Sequence, residues 1–176
     1  MSDLAQVMRV TSRGMITLRG DLMSTLVKKS VKAVTGQDMP NSGQFLGDGT
    51  SGVAWMSPDE LLLVLPYENV AKSVLQIDET LNGEHYLVAD VSDARAFFSV
   101  LGTNARDVLA RVCPVDLHSG SFCVGQFRRT RMAQVAAAFW MHDTGFNVVC
   151  FQSVGDYAQD LLTQAAENSV GTAFYT

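Results

Sequence analysis

The chain has 176 residues, of which 47% are hydrophobic and 18% charged, with a formal net charge of −5. That length suffices for one large domain or two small ones, and the composition marks a globular protein with nothing that looks disordered. The acidic balance speaks against nucleic acid as a partner, because phosphate binding needs a basic field.

In chain order, the alternation over residues 15–19 predicts a short strand ending at Gly20. Asp21 is placed to cap a helix whose apolar positions Leu22, Leu26, Val27, Val31 and Val34 share one face, with Gly36 as its C-terminal stop. Residues 38–52, rich in Gly, Asn, Ser and Asp, read as a loop. Strands over 53–56 and 61–65 flank the turn Ser57-Pro58-Asp59-Glu60, in which the proline pre-sets the backbone of the second position. Val70, Val74, Leu75, Ile77 and Leu81 mark a second helix that stops at Gly83, and 86–91 forms another strand. The resulting order, β-α-β-β-α-β, is that of a ferredoxin-like unit.

The second half partly repeats this order without a literal sequence repeat. A strand over 94–101 leads into a helix over 104–112, which Pro114 terminates. Strands over 127–132 and 135–141 follow, and His142-Asp143-Thr144-Gly145 turns into a strand over 146–151. Ser153, with Asp156 three residues on, predicts a capped helix whose apolar face carries Tyr157, Leu161 and Leu162. Two α+β halves result, at 1–92 and 93–170, followed by a loose tail at 171–176.

Chemistry is harder to find. Cys113, Cys123 and Cys150 cannot all be paired, and none has the Cys-x-x-Cys spacing of a zinc or redox motif, so reduced thiols are expected. The opening residues lack the basic-then-apolar pattern of a signal peptide, and the longest apolar run, 135–141, is too short to span a membrane. A soluble, cytoplasmic protein is expected. His85, His118 and His142 are each the lone histidine of their stretch, and a surface or turn role is expected of each ahead of catalysis, since a histidine base needs an orienting partner and a nucleophile in reach. The run from Gly47 to Gly52 leads into a strand and lacks the lysine of a phosphate loop, so it reads as a flexible loop. Arg128-Arg129-Thr130-Arg131 reads first as a solvated strand edge, ahead of a protein contact and an anion site. Asp90, Ser92, Asp93 and Arg95 form a dense polar group at a strand junction, either a side-chain-stabilised turn or a ligand site.

Four segments recur in a recognisable order and spacing: Trp55-Met56-Ser57-Pro58-Asp59-Glu60-Leu61-Leu62, Asp90-Val91-Ser92, residues 102–109, and Cys113-Pro114-Val115-Asp116-Leu117. Together they resemble the gamma subunit family of heterotetrameric sarcosine oxidase over about 53–166, with a weak echo at Asp156-Tyr157. The resemblance implies the fold of the folate-binding aminomethyltransferases, an α+β architecture of two ferredoxin-like split βαβ halves. It implies a structural subunit without catalytic residues or metal ligands of its own. The complex would demethylate sarcosine oxidatively to glycine, pass the one-carbon unit to tetrahydrofolate and release hydrogen peroxide. Alpha, beta and delta subunits would be the partners, with FAD, FMN, NAD, tetrahydrofolate and zinc on those subunits and no cofactor on this chain. Neither nucleic acid nor membrane is implied as a partner.

Two departures concern the wider superfamily. Catalytic aminomethyltransferases carry Gly-Tyr-Glu where this chain resembles them with Gly145-Phe146-Asn147, so an amide stands where the pterin-binding carboxylate is expected. Folate-dependent iron–sulfur assembly proteins carry Lys-Gly-Cys-Tyr-x-Gly-Gln-Glu, and Cys123-Val124-Gly125-Gln126-Phe127 keeps only Cys-x-Gly-Gln of it. If a vestigial folate pocket survives, as the resemblance implies, Asp90, Gln126 and Asn147 are the residues expected to line it. A stand-alone folate-binding protein or aminomethyltransferase-like enzyme is the alternative, and an unrelated interaction module a third.

Overall fold

The computed structural model describes residues 5–168. Contacts divide the chain into a middle unit, Ser12–Asp93, and a split unit made of the described residues of Met1–Thr11 and Ala94–Thr176. The chain opens with strand β1 (Gln6–Val10), which belongs to the split unit. The middle unit then runs β2 (Arg13–Gly20), α1 (Thr25–Thr35), β3 (Phe45–Gly47), β4 (Gly52–Ser57), β5 (Glu60–Pro66), α2 (Val70–Leu81) and β6 (Tyr86–Asp90). Its antiparallel sheet has the order β3-β4-β5-β2-β6.

Alternation explains which side of this sheet meets the helices. Ile16 and Leu18 of β2 and Leu61, Leu63 and Leu65 of β5 join Val27 and Val31 of α1 and Val70, Ile77 and Leu81 of α2 in one core. Helix α1 is capped by Ser24, whose Oγ accepts the Leu26 N–H at 3.2 Å. The expected cap, Asp21, instead accepts the Met23 N–H at 2.9 Å and so bends the chain ahead of the helix. Gly36 ends α1 with φ +74°, donating its N–H to the Lys32 carbonyl. The expected loop over 38–52 contains a strand after all. β3 and β4 form a hairpin in which Asp48 Oδ1 accepts the N–H groups of Thr50 and Ser51, both at 2.9 Å, so the glycine-rich run is a hydrogen-bonded tip.

The split unit continues with β7 (Arg95–Leu101), α3 (Ala105–Val112), β8 (Phe127–Met132), β9 (Val135–His142), β10 (Gly145–Phe151) and α4 (Gly155–Glu167). Its sheet order is β1-β7-β10-β9-β8, again antiparallel throughout. Phe98, Val100, Phe139, Phe146 and Val148 face Val108 and Leu109 of α3 and Ala158 and Leu162 of α4. Phe122, from the long connection between α3 and β8, folds into this core with its ring centroid 5.4 Å from Phe139 and 6.0 Å from Phe146.

The chain is thus an α+β protein with two ferredoxin-like halves. The expected boundary of the first half at 1–92 needs one correction: β1 pairs with β7, from Gln6 opposite Leu101 to Val10 opposite Phe97, so the opening strand completes the other sheet. Only five residues long and mixed in burial, it shows no clean alternation to betray it. Ser153 lies in a single 3₁₀ turn (Gln152–Val154) ahead of α4 and makes no side-chain cap; Asp156 instead binds Arg9 of β1 at 2.6 Å. The tail at 171–176 lies outside the described residues.

Candidate functional site

The three residues expected to line a folate pocket fall in two units. Asp90 ends β6 in the middle unit, while Gln126 precedes β8 and Asn147 sits within β10, both in the split unit. Asp90 Oδ1 accepts the backbone N–H of Ser92 at 2.9 Å and its hydroxyl at 2.6 Å. Ser92 Oγ in turn accepts the Met15 N–H at 2.9 Å, and Val91 donates its N–H to the Met15 carbonyl. The carboxylate therefore fastens the end of β6 to β2, the turn-forming alternative for this polar group. Both oxygens of Asp93 accept the Tyr67 hydroxyl, at 3.1 and 3.3 Å, and this hydrogen bond with the adjacent charge pushes the Tyr67 phenol above its ordinary range.

Gln126 closes a turn over 123–126. Its Oε1 accepts the Cys123 N–H, its own N–H donates to the Cys123 carbonyl, and its carbonyl receives Met141 N–H from β9. Cys123 is exposed, and Cys113 and Cys150 are buried, with burial pushing the Cys113 thiol up to about 12. Asn147 lies opposite Ser99 on one side and Trp140 on the other, and so shares a sheet face with both. It is half-buried, and its side-chain amide makes no hydrogen bond among the described residues.

An open concavity of about 350 Å³ lies at the end of the same sheet, where the β9–β10 turn meets the start of α3. Thr103, Arg106, Met141, Asp143 and Phe146 line it. Arg106 is the fixed cation of this pocket. It donates to the carbonyls of Leu117 at 2.6 Å and Phe122 at 2.9 Å and to Met141 Sδ at 3.0 Å, and it lies 5.9 Å from the Phe146 ring centroid. Its main work is to clamp the 113–126 connection onto the sheet. Gly145 lets the two strands meet here: a Cβ on it would stand 2.1 Å from the Val100 carbonyl oxygen.

Sequence reasoning did not find Arg106. A cation in the first turn of a helix opposes the helix dipole, and that local misfit was the available sign of a tertiary role. Beside the pocket, His142 Nδ1 faces the Thr144 hydroxyl at 3.2 Å, and burial holds its pKa below the ordinary value, favouring the neutral ring. Asp116, His118 and Ser121 come together in one loop, where Asp116 accepts the backbone N–H of His118 and the His118 ring accepts the Gly120 N–H. No group of three or more potential metal ligands occurs among the described residues. Arg106 and Asp143 line the pocket with opposite charges, and the Thr144 hydroxyl and the His142 ring meet at its rim.

Comparison with known proteins places this architecture. The chain is 33% identical over 114 residues to sarcosine oxidase subunit gamma of Corynebacterium sp. (strain U-96), covering 63% of this chain and 54% of that protein. The chain thus spans about half the length of the curated relatives it matches. The structure of heterotetrameric sarcosine oxidase from Corynebacterium sp. U-96 in complex with pyrrole 2-carboxylate superposes with a TM-score of 0.85 at 24% identity, covering 96% of this chain and 86% of the matched one. The glycine cleavage system aminomethyltransferase T of Bartonella henselae superposes with a TM-score of 0.67 at 14% identity, over 92% of this chain and 46% of the enzyme. Both likenesses are of fold, the second to under half of a larger protein. The family model described as "Sarcosine oxidase, gamma subunit family" matches residues 19–168, and the chain belongs to that family.

Proposed function

We propose that this chain is the structural gamma subunit of a heterotetrameric sarcosine oxidase, assembling with alpha, beta and delta subunits in the cytoplasm. In this reading the complex demethylates sarcosine oxidatively to glycine, with tetrahydrofolate as one-carbon acceptor and hydrogen peroxide as product. FAD, FMN, NAD and zinc reside on the other subunits. The observation that carries the reading is the family match over 19–168.

The residues of the suspected folate pocket support a structural role. The Asp90 carboxylate is engaged with Ser92, the Gln126 amide oxygen with Cys123, and position 147 offers an amide in place of an acid. A pterin's guanidine-like edge favours a free carboxylate, so these three side chains do not fit that group. We therefore read the pocket as vestigial and derive no chemistry through folate on this chain.

The test is capture of the tagged full-length chain from its own cells, followed by native mass and a visible absorption spectrum. A flavin-coloured complex of four unequal chains that oxidises sarcosine is the expected result. A colourless, solitary protein of 19.1 kDa that gives a heat of binding with tetrahydrofolate would replace it with the stand-alone folate-binding alternative.

A further inference from the structure

The two sheets end in turns that use their charges differently. In the middle unit, Gly20 at the end of β2 donates its N–H to the Asp59 carbonyl at 3.0 Å. In the split unit, Gly102 after β7 donates its N–H to the Thr144 carbonyl at 3.2 Å. Each bond ties a strand end to a hairpin turn, β4–β5 in one unit and β9–β10 in the other. Around the first turn the charges are partnered: Arg19 pairs with Glu60 at 2.8 Å, and Asp59 accepts the Ser57 hydroxyl at 2.6 Å. Around the second, Arg106 and Asp143 line one concavity of about 350 Å³ yet form no ion pair with each other among the described residues.

Asp143 departs from the pattern of its own chain. A turn aspartate ordinarily accepts a backbone N–H of its turn, and Asp21, Asp48, Asp90 and Asp116 each do so at 2.9 to 3.0 Å. In the β9–β10 turn the Thr144 N–H is directed to His142 Nδ1 at 3.4 Å, and the Thr144 hydroxyl meets the same nitrogen. The turn is thus closed without Asp143, whose carboxylate makes no hydrogen bond among the described residues. Arg106 is held by the Leu117 and Phe122 carbonyls through Nη1 and by Met141 Sδ through Nη2. Those bonds leave Nε–H and the second Nη2 proton, the side of a guanidinium that grips a carboxylate with two parallel hydrogen bonds.

We propose that this concavity binds a small free amino acid as its zwitterion, with the carboxylate on the Nε–Nη2 side of Arg106 and the ammonium on Asp143. Two fixed opposite charges that face one cavity without neutralising each other complement a ligand that carries both. Phe146 and Met141 add an apolar wall for a short aliphatic side chain. The bond from Gly102 to Thr144 ties the start of α3 to the turn, so both charges are in place before the ligand arrives. A lone anion would also meet Asp143, and a lone cation Arg106, so neither half of the zwitterion is favoured by itself. Asp90, Gln126 and Asn147 do not line this concavity, and its lining residues all belong to the split unit. The inference therefore stands apart from the folate pocket and goes beyond the subunit reading.

The experiment titrates the full-length chain with L-alanine while its backbone amides are followed by nuclear magnetic resonance. Propionate and ethylamine, which are alanine without its amine and without its carboxylate, are titrated in parallel. Saturable shifts at 102–106 and 141–146 are expected with alanine, at an affinity ~10-fold or more above that of either half. No saturable shift there up to about 10 mM alanine would overturn the site. Propionate that binds as tightly as alanine would also overturn it, because Asp143 would then contribute nothing. Asp143→Asn should weaken alanine binding by ~10-fold or more while propionate binds no more weakly. Its melting should match the wild type, since the carboxylate holds no other group among the described residues. Arg106 also fastens two carbonyls, so its replacement would mix binding with folding, and Asp143 carries the test. An Asp143→Asn chain that binds alanine with wild-type affinity sinks the proposal.

Discussion

The two units build the same sheet by different routes. In the middle unit the strand order β3-β4-β5-β2-β6 uses a continuous stretch of chain. The split unit's order β8-β9-β10-β7-β1 matches it place for place, with β8 in the position of β3 and β1 in that of β6. A sheet edge requires only an antiparallel strand of suitable pattern, and the direction from which the chain supplies it is immaterial. Their surfaces diverge where their topology does not. Residues 12–93 hold six cationic and eleven acidic residues, whereas the remainder holds seven of each, so the net charge of −5 belongs to the middle unit. Fold and surface charge are set independently here, as expected if one architecture serves two roles.

The largest expected effect tests whether the units are independent in stability. Phe98 and Leu63 are fully buried, each in the core of its own unit. Phe98→Ala should cost about 3–5 kcal/mol and Leu63→Ala about 2–5 kcal/mol. Hydrogen exchange should show each loss concentrated in its own unit, and equal losses in both would show that the two unfold together. Next come two glycines. Gly145→Ala places a Cβ against the Val100 carbonyl and should cost about 2–4 kcal/mol in thermal melting. Gly36→Ala meets no atom within 4 Å and bears only the strain of φ +74°, about 1 kcal/mol.

Helix starts sharpen the contrast further. Ser24→Ala should cost about 1 kcal/mol, because its hydroxyl caps α1. Ser153→Ala should change stability by less than about 0.5 kcal/mol, because no side chain caps α4. The smallest effect is a staggered acid response. Burial lowers the His142 pKa below its ordinary 6.5, so its contribution is complete above 6.5 and declines as pH falls below that value. Asp48 and Asp59 of the middle unit are held below 3.8 by hydrogen bonds, chiefly from the Ser51 backbone and the Ser57 hydroxyl respectively. Their contribution is complete above 3.8 and is lost as pH falls through their lower folded values. Exchange protection followed from pH 7 downward should therefore weaken first in the split unit, and His142→Gln should remove that early step.

Much of the fold was legible because local signals agreed with one another. The Pro58 turn between two apolar runs, the helical spacing of Val70 to Leu81 and the Gly36 stop each had a local cause that the structure retains. What escaped was non-local. Strand β1 gains its identity only from β7, far along the chain, and β3 is three residues in a polar loop. The caps at Asp21 and Ser153 were plausible by residue type, yet Ser24 and the 3₁₀ turn at Gln152–Val154 took those places. At the candidate site, sequence resemblance pointed to residues 90, 126 and 147, but each side chain's neighbours had to be seen in three dimensions. Arg106 was hidden because its carbonyl partners lie 11 and 16 residues away in an irregular connection.

The ends of the middle unit lie side by side. Ile16 near its start faces Asp90 near its end, and Val91 donates to Met15. The whole unit is therefore an insertion between two neighbouring strands of another sheet, and once folded it acts as the bend of a β1–β7 hairpin. During synthesis β1 emerges first and must wait for β7, with the entire inserted unit between Val10 and Arg95. Folding of the insertion shortens that effective loop from roughly 85 residues to under ten, which removes about 2 kcal/mol of closure entropy. Prior folding of the insertion thus favours the β1–β7 pairing, because the waiting strand can then find its partner at short range.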